Sequence, residues 1–415
     1  MVDFNDLILY SDFIYPKIIQ NFASAKTVSN RTIGELAALA SKYEFSGNIW
    51  QCYLTFELIM NQNPFSNSIQ TDLPEKDSLY YFALSDMKYL QELFNMDLST
   101  IFRDDQKGLL KEIESFNRKP NFSEFSEKTS KSLLKLKDEL SNAKSHTNFL
   151  DILCEYYLKY GSGDLSLSDA FRVKSDDDDK IVLIPIVNAQ ESRFDDLIGY
   201  EMQKTELIQN TQKFIDGTGF NNVLLFGESG TGKSTSIRAI LNKFSDEKVK
   251  MIEIYKNQIH LLNDIIGEIK NKPYKFILYM DDLSFEDYET DYKYLKAIIE
   301  GGLETRPQNI VLYATSNRRH LIKEQWGDRI DSMDGEVHYA DSVQEKLSLA
   351  ARFGITIYFP SPNNAEFKNI VIALAEQNNI QMPHDKLIKE AKKWEMRHGG
   401  LSGRTAQQFV TYLKK

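Results

Sequence analysis

At 415 residues the chain is long enough for two hydrophobic cores, and 42% hydrophobic with 27% charged residues is a globular balance, not a disordered one. A formal charge of −10 argues against broad, charge-driven binding to nucleic acid. The two cysteines, Cys52 and Cys154, exclude a disulfide framework or a cysteine-rich zinc site and fit buried fillers in a reducing cytoplasm. No apolar run approaches the roughly 18 residues a membrane helix needs, and the start Met1-Val2-Asp3 is acidic, unlike a secretory signal.

Residues 1–175 read as a helical N-terminal domain. Val2–Phe22 places Phe4, Leu7, Ile8, Phe13, Ile14, Ile18 and Ile19 near helical spacing despite Pro16, which predicts a helix there. Ile33–Tyr43, Ile49–Met60, Leu79–Phe94 and Phe149–Tyr160 repeat the pattern, and the stripe Tyr53, Phe56, Ile59, Met60 reads as core. The domain shows no metal-ligand cluster and no nucleophile with a base, so a partner-binding module is the neutral expectation. Residues 176–193 form a linker: Asp176-Asp177-Asp178-Asp179-Lys180 is a self-repelling surface loop, and Ile181–Val187, with Pro185 inside, is an edge or docking strand.

Residues 194–360 alternate short apolar strands with helical stretches, the pattern of a parallel sheet with helices on both faces. Within them, Gly227-Glu228-Ser229-Gly230-Thr231-Gly232-Lys233-Ser234 fits the phosphate-loop spacing G-x-x-x-x-G-K-[ST] at every fixed position. The apolar run Asn222–Phe226 precedes it and the helical run Ser236–Leu241 follows, so backbone N–H groups at a helix N-terminus would face a polyphosphate. Lys233, taken as an exposed loop lysine, brings a charge to the phosphates, and Ser234 offers a hydroxyl to Mg²⁺. Phe276–Met280 runs into Asp281-Asp282, which puts two carboxylates at the carboxyl edge of the sheet. Asp281 is the metal-side acid and Asp282 the group facing the attacking water, with Glu286 in reserve. The alternative for Asp282 is a solvated loop acid or a cap for the next helix. Asn309–Ala314 ends in Thr315-Ser316-Asn317, where Asn317 is a turn residue or, beside the acidic strand, a contact to the γ-phosphate or the water. Residues 361–415 form three helical stretches, a small lid, with nine Lys and Arg against five acids. That surplus is a solvated helix face plus nucleotide-facing arginines, or a grip on DNA.

Phosphate loop, acidic strand and polar strand in this order resemble an AAA+ ATPase. Phe194-Asp195-Asp196-Leu197-Ile198-Gly199-Tyr200-Glu201 resembles the segment that packs around adenine, Ala351-Arg352-Phe353-Gly354 the arginine-finger segment, and Gly400-Leu401-Ser402-Gly403-Arg404 the sensor 2 motif of the lid. The wording Asp281-Asp282-Leu283-Ser284-Phe285-Glu286 and Ala314-Thr315-Ser316-Asn317-Arg318-Arg319-His320-Leu321 is similar to bacterial ATP-binding proteins of unassigned role. Most AAA+ ATPases carry Glu after the metal-side Asp, and this chain departs from them with the shorter Asp282.

The resemblance implies an α/β P-loop NTPase fold of AAA+ type with a C-terminal helical lid and an all-helical N-terminal domain. It implies ATP held by Ile198, Gly199, Gly227, Glu228, Ser229, Gly230, Thr231, Gly232, Lys233, Ser234 and Thr235, and Mg²⁺ by Ser234 and Asp281. It assigns catalysis to Lys233, Asp282, Asn317, Arg352 and Arg404, the finger falling to Arg329 if not Arg352, with Arg318 and Arg319 structural or interface residues. It further implies a homo-oligomeric ring or arc, hydrolysis coupled to remodelling or loading a protein partner through the N-terminal domain, and no membrane. A DNA-associated initiator or helicase loader, and a weakly hydrolysing nucleotide switch, are the alternative readings.

Overall fold

The computed structural model describes residues 6–24, 27–69, 76–118, 125–175, 180–187, 192–286, 289–300, 307–318, 321 and 349–414. It divides into two compact units, Met1–Asp169 with Pro185–Ala189, and Ala170–Ile184 with Gln190–Lys415.

The first unit is helical. Its longer helices are Pro16–Ser24, Asn30–Lys42, Ile49–Met60, Ser78–Phe94, Glu127–Ser141 and His146–Tyr160. Side chains of Ser29, Asn48, Asp77, Ser126 and Ser145 accept the orphan N–H groups at their starts. Ile49–Met60 is buried at every position from Ile49 to Ile59 except Gln51, so it is a core helix, not an amphipathic one. Trp50 stacks on Phe22 at 4.6 Å and its Nε1–H donates to the Leu93 carbonyl at 2.9 Å. The Tyr157 hydroxyl donates to the Leu58 carbonyl at 2.6 Å. Burial pushes the Cys52 thiol up to about 11 and the Cys154 thiol to about 12, which leaves both as inert core fillers. Among the described residues, the helix expected over Val2–Phe22 begins at Pro16. Pro16 occupies the first helical position, where its missing N–H is no loss. The residues before it take their hydrogen bonds from other helices.

The second unit is built on a seven-stranded sheet: β1 (Ala170–Ser175), β2 (Ile181–Pro185), β3 (Val223–Gly227), β4 (Val249–Glu253), β5 (Lys275–Met280), β6 (Ile310–Ser316) and β7 (Ile355–Phe359). The order across the sheet is β2-β1-β4-β5-β6-β3-β7, and every pair from β1 to β7 is parallel. β6 is buried along its whole length and β5 along all but its first residue, as strands covered on both faces must be. The register sets Met280 opposite Ala314 and Phe226 opposite Ser316, so β3, β5 and β6 end together at one edge. Ala170–Ser175, read from the sequence as the end of the helical region, pairs with β4 in this sheet. The three lid helices are Asn364–Gln377, His384–Glu395 and Gly403–Leu413, packed on one another through Phe367, Val371, Leu387, Ala406 and Phe409. This is the parallel α/β sheet with a C-terminal helical lid and a helical N-terminal region that the sequence led us to expect. Among the described residues no helix is long and apolar enough to cross a membrane. Asp176–Asp179 lies outside the described residues.

Candidate functional site

The loop between β3 and the helix Lys233–Lys243 must be glycine at three positions, each for a different neighbour. Gly227 has φ +139° and a Cβ there would collide with the Phe359 carbonyl of β7. Gly232, at φ +98°, has no room for a Cβ beside the Leu197 side chain. Gly230, at φ +76°, faces the lid: a Cβ would come within 2.9 Å of Arg404 Cβ, and the Arg404 N–H donates to the Gly230 carbonyl at 3.1 Å. The loop is thus pinned by the sheet, by Leu197 and by the lid together.

Lys233 opens the helix and is only 6% exposed, not the exposed lysine expected. Its Nζ donates to the carbonyls of Gly227 at 2.8 Å and Glu228 at 2.7 Å, and to Asn317 Oδ1 at 3.0 Å. Burial pushes its pKa below the usual lysine value, while Asp282, Glu228 and Asp281 pull it back.

The two carboxylates after β5 are held apart by Thr315. Asp281 Oδ1 accepts from Ser234 Oγ and from Thr315 Oγ1, both at 2.6 Å, and Arg238 lies 3.7 Å from Oδ2. Burial acts to raise the Asp281 carboxyl, but the hydroxyl donors outweigh it and its pKa falls below the ordinary value. Asp282 has φ +50°, a left-handed backbone that Asp tolerates better than most residues. Its N–H donates to Thr315 Oγ1 at 2.8 Å and the next N–H, of Leu283, to the Thr315 carbonyl at 2.7 Å. That turn aims its carboxylate sideways, where Oδ1 accepts from Asn317 Nδ2 at 2.7 Å. A continuous path therefore runs from Lys233 through Asn317 to Asp282.

These groups open into one cleft of about 1050 Å³. Its walls include Ile198, the loop from Ser229 to Thr235, Asp281, Asp282, Asn317 and Arg404. Gly199, Gly227, Glu228 and Glu286 are not among the lining residues, although Gly227 and Glu228 hold Lys233 through their carbonyls. Arg352 also lies away from the cleft, ion-paired with Glu300. Arg318 donates its N–H to Ser316 Oγ at 3.1 Å, and Arg319 and Arg329 lie outside the described residues. Thr315 and Arg238 are among the lining residues missed as candidates. Thr315 was read only as the strand end, and Arg238 was passed over although four residues from Ser234 puts it on the same helix face. The lid adds Gln377, Asn378, Gln407 and Gln408, which carry no motif.

A family model described as "Protein of unknown function (DUF815)" matches residues 166–415. The chain belongs to that family. Among solved structures, the Thermotoga maritima RuvB Holliday junction branch migration motor is similar at 17% identity, covering 54% of this chain and 64% of that one, with a TM-score of 0.38. A variant of that motor gives 18% identity, the same coverages and a TM-score of 0.38. The DUF815 match takes in the whole cleft, from Ser192 to Gln408, and leaves most of the helical unit outside it.

The donor set fits a magnesium nucleotide. Among the described residues no group of three or more His, Cys, Asp or Glu could cage a metal by itself. A Ser hydroxyl beside a single carboxylate is instead what Mg²⁺ takes when phosphate oxygens and water complete its shell. The buried Lys233 amine, bonded only to carbonyl and amide oxygens, is placed to exchange those partners for phosphate.

Proposed function

We propose that this DUF815 chain binds ATP with Mg²⁺ and hydrolyses it, using the cycle to remodel or load a protein partner in the cytoplasm. The observation that supports this best is the pair of networks at one cleft mouth, Lys233–Asn317–Asp282 and Ser234–Asp281–Thr315. Ser234 and Asp281 would hold the metal, which when bound neutralises charge on the phosphates. Ser229 to Thr235 would cradle the phosphates through backbone N–H groups, with adenine beside Ile198 and Gly199. Asp282 Oδ1 would accept the proton of the attacking water, and Asn317 would fix that water's position by bonding the same carboxylate. Lys233 and Arg404 would meet the charge that develops on the γ-phosphate. Arg352 would leave Glu300 and act on a neighbouring copy's nucleotide, which makes the active form a homo-oligomer.

The test is equilibrium binding of ATP with Lys233→Ala and Ser234→Ala. Lys233→Ala should weaken binding by about 100-fold or more, the scale of losing a buried charge-assisted contact. Ser234→Ala should lose only the part of the affinity that depends on Mg²⁺. Wild-type affinity in a folded Lys233→Ala chain, or a Ser234→Ala chain with unchanged Mg²⁺ dependence, overturns the reading.

A further inference from the structure

Residues 7–15 of the helical unit carry no helix, yet they are tied down with unusual completeness. Asp86, fully buried, accepts the N–H groups of Ile8 at 2.9 Å, Leu9 at 2.7 Å and Tyr10 at 3.0 Å. Glu57, 1% exposed, accepts those of Ile14 and Tyr15, both at 2.8 Å. Asn61 Nδ2 donates to the Asp12 carbonyl at 2.7 Å and the Tyr53 hydroxyl to the Tyr15 carbonyl at 2.9 Å. Seven main-chain groups of one strap are thereby met by four side chains from the helices Ile49–Met60 and Ser78–Phe94 and the residue capping the first of them.

The side chains of the strap follow a different rule. Leu7, Tyr10 and Phe13 are buried, one in every three, while Ile8 and Ile14 are about half exposed. Recognition of an extended chain through its main chain, with pockets only for spaced anchors, is how peptide-binding grooves work. Most hydrogen bonds here go to carboxylates, which makes them the stronger, charge-assisted kind. It also makes them indifferent to the identity of the bonded residue, provided it is not proline.

We propose that the groove floored by Asp86, Glu57, Asn61 and Tyr53 is a docking site for extended polypeptide segments with apolar residues three apart, and that residues 7–15 are its occupant in cis. The partner is a protein presenting an unfolded stretch, held by its backbone. This names the chemistry of the protein partner in the proposed function, but it does not depend on the nucleotide site: failure of the Lys233→Ala test leaves the groove unaffected.

The experiment uses the full chain with and without Leu9→Pro, which deletes one N–H donor to Asp86 and loosens the strap. A fluorescein-labelled peptide of residues 6–15 is followed by anisotropy. It should bind the Leu9→Pro chain at least about ten-fold more tightly than the unsubstituted chain, whose own strap competes at high effective concentration. The same Leu9→Pro change in the peptide should weaken binding by about ten-fold. Serine in place of both Ile8 and Ile14 in the peptide should leave binding within about two-fold, since neither anchors the strap. Reduced, carboxymethylated α-lactalbumin, a soluble unfolded polypeptide, should displace the peptide. Equal affinity for the two chains, indifference to proline in the peptide, or no displacement by the unfolded probe each overturns the proposal. So does loss of helical circular dichroism in the Leu9→Pro chain, because the strap is then part of the fold and not a ligand.

Discussion

Each unit of the molecule contains a pair of carboxylates in a hydrogen-bond network, and the two pairs are opposites. Asp86 and Glu57 in the helical unit are buried and their donors are backbone N–H groups fixed by the chain. Asp281 and Asp282 at the sheet edge line an open cleft, and their side-chain donors include a hydroxyl pair and an amide. Fixed main-chain donors build structure around a charge. Small side-chain donors beside solvent can rotate toward a ligand, whereas the main-chain donors of the first pair stay fixed until the strap moves. Burial of a charged group alone therefore does not mark the reactive site; the nature of its donors does.

The comparison breaks most readily in a stability measurement. Asp86→Ala leaves three N–H groups of the strap without their acceptor in a buried place, and should cost about 3 kcal/mol or more of the helical unit's stability. Asp281→Ala removes the acceptor of two hydroxyls and a partner of the partly exposed Arg238 guanidinium at the cleft and should cost about 1 kcal/mol or less. Urea unfolding followed by circular dichroism checks both. Comparable losses in the two variants would show that the pairs do the same job.

Turnover should reverse the ranking. Asp282→Asn keeps the bond pattern with Asn317 near its present geometry but removes the proton acceptor, so hydrolysis should fall by about 100-fold with ATP affinity unchanged. A coupled-enzyme assay beside an equilibrium binding measurement separates the two quantities. Loss of binding instead of rate would move Asp282 to the metal side and leave the base to Glu286, whose N–H is now bonded to Glu289. Arg352→Ala should lower hydrolysis without changing affinity, and mixing it with Lys233→Ala should restore part of the rate. Unchanged hydrolysis by the Arg352→Ala chain alone would remove it as the finger.

The sheet unit was largely legible because its chemistry is written in short, local patterns. The loop spacing gives Gly227 to Ser234, and an apolar run ending in acid gives β5 and Asp281. What escaped was set by distant partners. Thr315 is a hub only because β5 and β6 end in register, which no window of sequence shows. The strap kept a helical apolar spacing, but its donors go to Glu57 and Asp86, 43 and 78 positions away from Ile14 and Ile8. Those long-range bonds, with Pro16 starting the helix, outweigh local periodicity. Lys233 was taken as exposed because the motif fixes its chemistry and says nothing of the carbonyls that close over it.

The smallest expected effect is on the dependence of stability on pH, and its sign differs between the pairs. Burial raises the Glu57 pKa above the ordinary carboxylate value, although the Ile14 and Tyr15 N–H groups act the other way. The folded state then binds its proton more readily than the unfolded chain, so the helical unit loses stability as pH rises from the ordinary carboxylate value through the raised one. Asp281 is depressed, so its contribution is full above the ordinary value and is lost as pH falls through the lower folded one. Melting temperatures of wild type, Glu57→Gln and Asp281→Asn across pH 3 to 8 isolate each group as a difference from wild type, a range bracketing the ordinary carboxylate value of about 4. The wild-type minus Glu57→Gln difference should decline as pH rises above that value, and the wild-type minus Asp281→Asn difference should decline only toward the acid end. If the first difference instead grows with pH, the Ile14 and Tyr15 N–H groups stabilise Glu57 as an anion more than burial penalises it. The groove would then bind an extended chain best at neutral pH and release it in acid.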